Sequence, residues 1–480
     1  MTITDRRTRW LALIVLCLGD LMIVLDTTIV NVALPSIRTD LGFSETSLAW
    51  VVNAYLLTFG GFLLLGGRLG DLFGHRRLFV SGIGLFTAAS LACGLSTSQG
   101  TLVAARAVQG IGGAVVSAVA LSLIMMLFTD TVERTKAMGV FGFVMAGGGS
   151  IGVLLGGVLT DALSWHWVFL VNLPIGAAVF ALSFALIPGG RGQGRAKVDV
   201  AGAATVTSSL MLAVYAVVNG NGVGWTATRT LGLLAAAAAL MVAFVVIESR
   251  VDSPLVPLRL FKLRNVSSAN VIGVLWAAAM FSSFFLTALY LQLVLGYKPL
   301  DVGLTFLPAN VIMAVFSLGL SARIVMRFGI KLPITAGMTL VAAGLLLFVR
   351  APVDGNVFVD VIPAMIVFGI GAGLAFNPVL LAAMSDVEQS EAGLASGVVN
   401  TAFMMGGALG LAVLASLAAS RTSSLRADGE SALVALNGGY HLAFALGALF
   451  ALAAGVVAAV FLREAKPAHE AAGEPAFAEG

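Results

Sequence analysis

The sequence predicts an all-α integral membrane protein with fourteen spanning helices: two six-helix bundles, two further helices inserted between them, and both termini cytoplasmic. Three observations carry this. Of its 480 residues, 59% are hydrophobic and 11% charged, where a soluble chain carries roughly a quarter charged residues; the mean hydropathy is +1.01. Apolar runs of about twenty residues, enough to cross the hydrocarbon, recur from end to end. Lys and Arg gather on alternate connections, as membrane topology requires. An ordinary globular core is excluded, because almost no polar surface would remain to face water.

The charged start MTITDRRTRW runs directly into span 1, roughly residues 10–35. That stretch is too long and too acidic for a cleaved signal peptide and reads as a retained helix. Spans 2 to 6 fall at roughly 47–67, 78–96, 101–128, 137–160 and 167–187, completing an N-terminal bundle over 10–187. A central segment, 188–264, opens with IPGGRGQGRAKVD, a flexible linker by composition. It continues with two extra spans at about 200–219 and 229–248 and ends in a cytoplasmic loop. The C-terminal bundle, 265–462, holds spans at roughly 266–293, 302–325, 332–350, 358–382, 394–419 and 439–462. The Ala/Glu/Pro-rich tail, 463–480, reads as disordered.

With the N-terminus inside, twenty of the 27 Lys and Arg residues lie on the cytoplasmic side, six outside, and Arg106 within a span. A count of thirteen spans would put one half out of phase and destroy this asymmetry. The small net charge of +3 reflects the same bias and gives no reason to expect nucleic acid as a partner. Cys17 and Cys93 both sit in apolar runs and suggest packing rather than a disulfide. The four histidines show no ligand spacing, so no metal and no cofactor is expected.

An internal repeat supports the two halves. GGRLGDLFGHRRL follows span 2 and SARIVMRFGIKL follows span 10; aligned on Phe73-Gly74 and Phe328-Gly329, Arg68 matches Arg323 and Arg76 matches Lys331. Parallel six-helix halves are a transporter architecture, with the substrate site between them near mid-membrane.

In the first copy, Gly67, Gly70 and Gly74 permit tight turns and close helix approach, and Asp71 stands beside Arg68, Arg76 and Arg77. Such a cluster can form in one conformation and break in another, which makes it a candidate gate. Its second copy carries Met326 in place of Asp71. Arg106, in RAVQGIGGA, lies several residues into span 4, where an unpaired cation is costly. It should face a cavity or a carboxylate, unless it snorkels outward. Gln109 beside it reads as a polar cavity wall. In span 5, Gly148, Gly152 and Gly156 share one helix face, with Gly157 adjoining, a spacing that lets helices approach closely.

The acids of span 1 pose the main chemical question. Away from the interfaces, Asp20 and Asp26 are the acids found inside spans, while the helix from Leu394 to Ala419 has none. At 100° per residue, Asp20 shares a face with Thr27 and Asn31, and Asp26 sits about 120° away. Asp20 is therefore expected to face the cavity and exchange its proton against a cationic substrate. Asp26 is expected to couple to span 4, where Arg106 can reach it. Trp50, Tyr55, Phe284, Tyr290, Gln292, Asn400 and Met404 are further candidates for an adaptable cavity lining.

With these pieces in place, the chain resembles the fourteen-helix drug:proton antiporters (EmrB/QacA-like) of the major facilitator superfamily. The likeness covers nearly the whole chain: LDTTIVNVALPSI, GRLGDLFGHRR, RAVQGIGGA, GGGSIGVLLGG, WHWVFLVNLPIG, PLVPLRLF, LQLVLGYKPLDVGLTFLP and AGLASGVVNTAFMMGGALG. Two departures stand out. Val153 stands where the family usually has proline, and His166 where it usually has arginine.

The resemblance implies alternating-access export of hydrophobic, often cationic, compounds in exchange for protons, with the proton gradient as energy source. It implies that the Asp71 motif latches the outward-facing state, that Arg106 takes part in proton coupling, and that the span-5 glycines seal the halves. A monomer in the bacterial inner membrane is expected. Competing readings are a dedicated exporter of one metabolite or self-made antibiotic, and a proton-coupled importer, which the glycine motif disfavours. A membrane receptor or enzyme would need a soluble domain or a catalytic constellation, and neither is present in the sequence.

Overall fold

A computed structural model describes residues 5–189, 199–385, 387–388 and 391–463. The tail from 464 onward and most of the linker, 190–198, lie outside the described residues. Among the described residues there are helices and no strands. Thirteen helices are long and apolar enough to cross a membrane, and Pro299–Val315 is a shorter apolar helix.

In chain order, the first six helices are α1 (Arg6–Leu41), α2 (Glu45–Phe73), α3 (His75–Gly94), α4 (Gln99–Leu127), α5 (Thr131–Ala162) and α6 (Trp167–Leu186). The inserted pair is α7 (Val200–Val223) and α8 (Thr228–Arg250). The last six are α9 (Arg264–Val294), α10 (299–328), α11 (Lys331–Phe348), α12 (Val357–Met384), α13 (Ala392–Ala427) and α14 (Ala432–Phe461). α10 is Pro299–Val315 continued through a π turn at Phe316–Leu320, where Gly319 has φ +132°, into Ser321–Phe328. That kink interrupts the apolar run.

The helix ends follow their sequence. Asp5 caps α1 by accepting from the Arg7 and Thr8 amides, and Ser98 and Asp130 cap α4 and α5, each satisfying amides that a helix start leaves free. Gly74 turns α2 into α3 at φ +94°, a conformation that side chains disfavour. Fourteen crossings joined by short connections would return the chain to the side on which it began, here called the terminal side; the opposite is the far side.

Within the first half, α4 packs on α2 and α3, and α5 on α1. In the second half, α9 packs on α13 and α14, and α11 on α12 and α14. The halves meet where α5 packs on α10 and α2 on α13. The inserted α7 touches both α2 and α13, and Asn221 Nδ2 donates to Ser416 O at 2.6 Å. α8 packs on α7 and is otherwise largely uncovered.

Candidate functional site

Polar side chains inside membrane helices must find partners, because hydrocarbon supplies none. The first half meets this requirement around Asp26 and Arg106, which are 0% and 1% exposed. The Arg106 Nη1 donates to Asp26 Oδ2 and, at 2.8 Å, to Gln109 Oε1. Its Nε donates to Val51 O of α2 at 2.9 Å. The guanidinium carbon lies 4.4 Å from the Tyr55 ring centroid and 5.6 Å from that of Phe169, a cation–π arrangement worth more in a dry site than in water.

Three further side chains close the network. Gln109 Nε2 donates to Asp26 Oδ1 at 2.7 Å and to Ser90 Oγ at 3.1 Å. Asn172 Nδ2 donates to the same two atoms at 3.2 and 3.0 Å. Ser90 Oγ then donates to Phe169 O at 2.9 Å. Both hydrogens of each amide and of the Arg106 Nη1 are thus used. Five helices, α1, α2, α3, α4 and α6, converge on one carboxylate.

Glycines on α4 make this convergence possible. A Cβ on Gly110 would stand 2.5 Å from Tyr55 O, and one on Gly112 would stand 2.7 Å from Phe86 N. The missing side chains let α2 and α3 approach closely enough for Val51 O and Ser90 to reach Arg106 and Gln109. Gln109 is therefore part of the buried network and not a cavity wall. Ser90 and Asn172 were missed from the sequence, although a polar residue within an apolar run was the available signal.

Asp20 departs from expectation. Ser117 Oγ of α4 donates to its Oδ1 at 2.7 Å, and the residue is 1% exposed. It does not share a water-facing stripe with Thr27 and Asn31. Those two turn inward on their own helix, Thr27 Oγ1 donating to Val24 O at 2.8 Å and Asn31 Nδ2 to Thr27 O at 3.2 Å. Side chains of α4 reach both faces of α1, Ser117 taking Asp20 and Arg106 and Gln109 taking Asp26.

The motif at the end of α2 is helical up to Phe73. A Cβ on Gly70 would stand 2.7 Å from Val119 Cγ1, whereas one on Gly67 would meet nothing. Asp71 Oδ1 lies 3.3 Å from His75 Nε2, with its side chain 52% exposed. Arg76 Nη2 donates to Phe184 O at 2.7 Å. Arg68 is half-buried and Arg77 exposed. The bonds the motif makes among the described residues stay within the first half.

The α5 glycines divide between two neighbours, which corrects the expectation that they jointly seal the halves. Cβ atoms on Gly148, Gly152 and Gly156 would meet Leu21 and Val24, Thr28 and Leu25, and Ile29, all on α1. The contact between halves lies one residue further round. A Cβ on Gly157 would stand 2.8 Å from Pro299 O and 2.9 Å from Leu300 Cα, and one on Gly303 would stand 2.9 Å from Val153 O. With Val153 in place of proline, α5 runs unbroken over Thr131–Ala162. His166 stacks on Trp165, their ring centroids 3.8 Å apart.

The cavity candidates also sort themselves. Tyr55 is 1% exposed beneath Arg106, and Tyr290, also 1% exposed, donates its hydroxyl to Pro352 O at 2.7 Å. Gln292 Nε2 bridges the halves by donating to Val32 O at 2.9 Å. Tyr55 and Tyr290 are thus buried in this conformation, and Gln292 is held by the opposite half. Trp50, Phe284, Asn400 and Met404 are half-buried, with Met404 against Gly60 of α2. Among the described residues, no three His, Cys, Asp or Glu side chains gather to hold a metal ion.

Comparison with known proteins places these features in a family. Residues 16–411 match the model of the Major Facilitator Superfamily. The chain is 39% identical over 450 residues to the puromycin resistance protein pur8 of Streptomyces alboniger, covering 92% of this chain and 89% of that one. It is 39% identical over 420 residues to the cephamycin export protein CmcT of Amycolatopsis lactamdurans, covering 87% and 86%. The crystal structure of an auto-inhibited POT family peptide transporter superposes with a TM-score of 0.69 at 16% identity, covering 96% of this chain and 99% of that one. At that identity the likeness speaks for the fold alone.

Proposed function

The chain belongs to the major facilitator superfamily and is a multi-pass transporter of the bacterial cell membrane, and from that premise we propose that it exports hydrophobic or cationic drugs in exchange for protons. The observation that carries this reading is the buried Asp26–Arg106 pair. A carboxylate this deep can take up a proton, and its fixed cation partner senses the change. Breaking one member of such a pair costs about 3–5 kcal/mol, so its protonation state can bias the packing of five helices.

The terminal side is cytoplasmic in this reading, which puts most Lys and Arg inside. Gly157 against Leu300 and Gln292 against Val32 join the halves toward the far side, while the Asp71 motif keeps its bonds within the first half. Both support an inward-facing arrangement in which the gate has let go. The motif Gly67 to Arg77 would engage the second half when the protein faces outward. Half-buried Trp50, Phe284, Asn400 and Met404 are the residues left to line the substrate path.

Moving one net charge through 100 mV supplies about 2.3 kcal/mol, roughly a fiftyfold concentration ratio. One proton per neutral substrate is therefore useful work for a monomeric exporter with no cofactor, whereas one proton against a singly charged cation is electroneutral and draws on the pH gradient alone. The test uses proteoliposomes with an imposed pH gradient and a cationic dye. Asp26→Asn and Asp20→Asn proteins should lose accumulation; retention by both sinks the proton-coupling assignment. A narrower reading, export of one self-made antibiotic, is favoured by relatives whose names carry single compounds. Resistance to one compound alone, across a panel in an expressing host, would select it.

A further inference from the structure

Asp20 and Asp26 are six residues apart on α1, about 9 Å along the axis. No proton crosses that distance in one hydrogen bond, whose heavy atoms stand less than about 3 Å apart. Both acids are nevertheless anchored to α4, Asp26 through Arg106 and Gln109 and Asp20 through Ser117. Positions 106, 109, 113 and 117 form one stripe on that helix. Gln109 and Ser117 thus bracket Gly113, each one turn from it, about 6 Å along the axis.

The space beside Gly113 is occupied by the Tyr55 hydroxyl: a Cβ on Gly113 would stand 3.0 Å from it. Tyr55 is 1% exposed, and its hydroxyl is buried without a hydrogen-bond partner. Asp20 Oδ2 is likewise buried without one. Leaving such atoms unpaired is costly, and both belong to side chains that touch this stripe of α4, Asp20 at Ser117 and Tyr55 at Gly113. The Tyr55 ring is fixed by Arg106 on one side and by Phe59, whose centroid is 5.7 Å away. The hydroxyl is thus held at a set height between the two acids.

We propose that Tyr55 relays the proton between Asp20 and the Asp26–Arg106 pair. The inference rests on the proton-coupled reading above and adds the route. Protonated Asp20 gives its proton to the phenol oxygen, directly or through one water beside Gly113. In the same event the phenol O–H bond breaks toward the Asp26 carboxylate. Tyr55 starts and ends neutral, one O–H bond is lost on Asp20 and one is gained on Asp26, and the negative charge passes from Asp26 to Asp20. Asp26 then holds Arg106 as a neutral acid, and the cation is freed to shift.

The experiment compares wild type, Tyr55→Phe and Gly113→Ala in proteoliposomes, measuring pH-driven dye accumulation and dye–dye counterflow on the same preparation. Tyr55→Phe keeps the ring beneath Arg106 and removes only the hydroxyl. Its ratio of driven accumulation to counterflow should fall at least tenfold. Gly113→Ala, which crowds the hydroxyl, should lower the ratio severalfold. A Tyr55→Phe ratio within twofold of a wild type that does couple overturns the relay alone. A wild type that shows counterflow but no pH-driven accumulation overturns the coupling reading, and the relay with it.

Discussion

The guanidinium of Arg106 and the carboxylate of Asp26 meet inside the first half with 1% and 0% exposure, joined by Gln109, Asn172 and Ser90. Removing one partner leaves an uncompensated charge where no water reaches it, a loss of about 3–5 kcal/mol. Arg106→Ala is therefore expected to lower the thermal unfolding midpoint in detergent sharply. Arg106→Lys keeps the charge, but a point ammonium cannot bond Val51 O, Gln109 and Asp26 in the fork geometry. It should fold better than the alanine protein and still transport poorly. Equal stability of the alanine protein and wild type would mean that the pair is not formed.

The second prediction concerns how the halves close. A Cβ on Gly157 would press to 2.8 Å on Pro299 O and 2.9 Å on Leu300 Cα, both backbone atoms. Gly157→Ala should thus hold α5 away from α10 and reduce transport at least fivefold. Gly139→Ala on the same helix is the control, because a Cβ there meets nothing and alanine favours the helix by about 0.5–1 kcal/mol. If the two variants transport alike, the Gly157 contact does not govern closure.

These residues also mark what the sequence makes legible. Apolar runs of about twenty residues reveal spans directly. The pairing of Asp26 with Arg106 was accessible because a buried cation demands an anion. A helical wheel shows which residues share a face, however, and not which helix covers it. Gly148, Gly152 and Gly156 do share a face, and it rests on α1. Asp20 lies about 120° from Asp26, yet both bond side chains of α4, which the wheel of α1 alone does not reveal. Ser90, Ser117 and Asn172 gave only the weak signal of small polar residues in apolar runs.

A third prediction follows from Asn53, which is 0% exposed on α2 with neither amide atom paired. An unmet buried polar group costs about 1–3 kcal/mol. Asn53→Leu, of similar size and without that cost, should stabilise this conformation and raise the unfolding midpoint in detergent. Because a transporter must leave each state in turn, the same variant should transport more slowly. A lowered midpoint would show that Asn53 meets a partner on some other surface.

Asp71 separates a gate from a topology signal. In this conformation it touches His75 at 3.3 Å with its side chain 52% exposed, and an exposed pair contributes about 0–1 kcal/mol. If that contact were its whole role, Asp71→Asn would change neither stability nor transport. If the motif engages the second half in the outward-facing state, the loss appears only in the state not seen here. Asp71→Asn should then keep its unfolding midpoint while dye accumulation falls about tenfold or more. The paired measurement decides it: a midpoint and a transport rate that both match wild type would reduce the motif to a charged boundary that sets orientation.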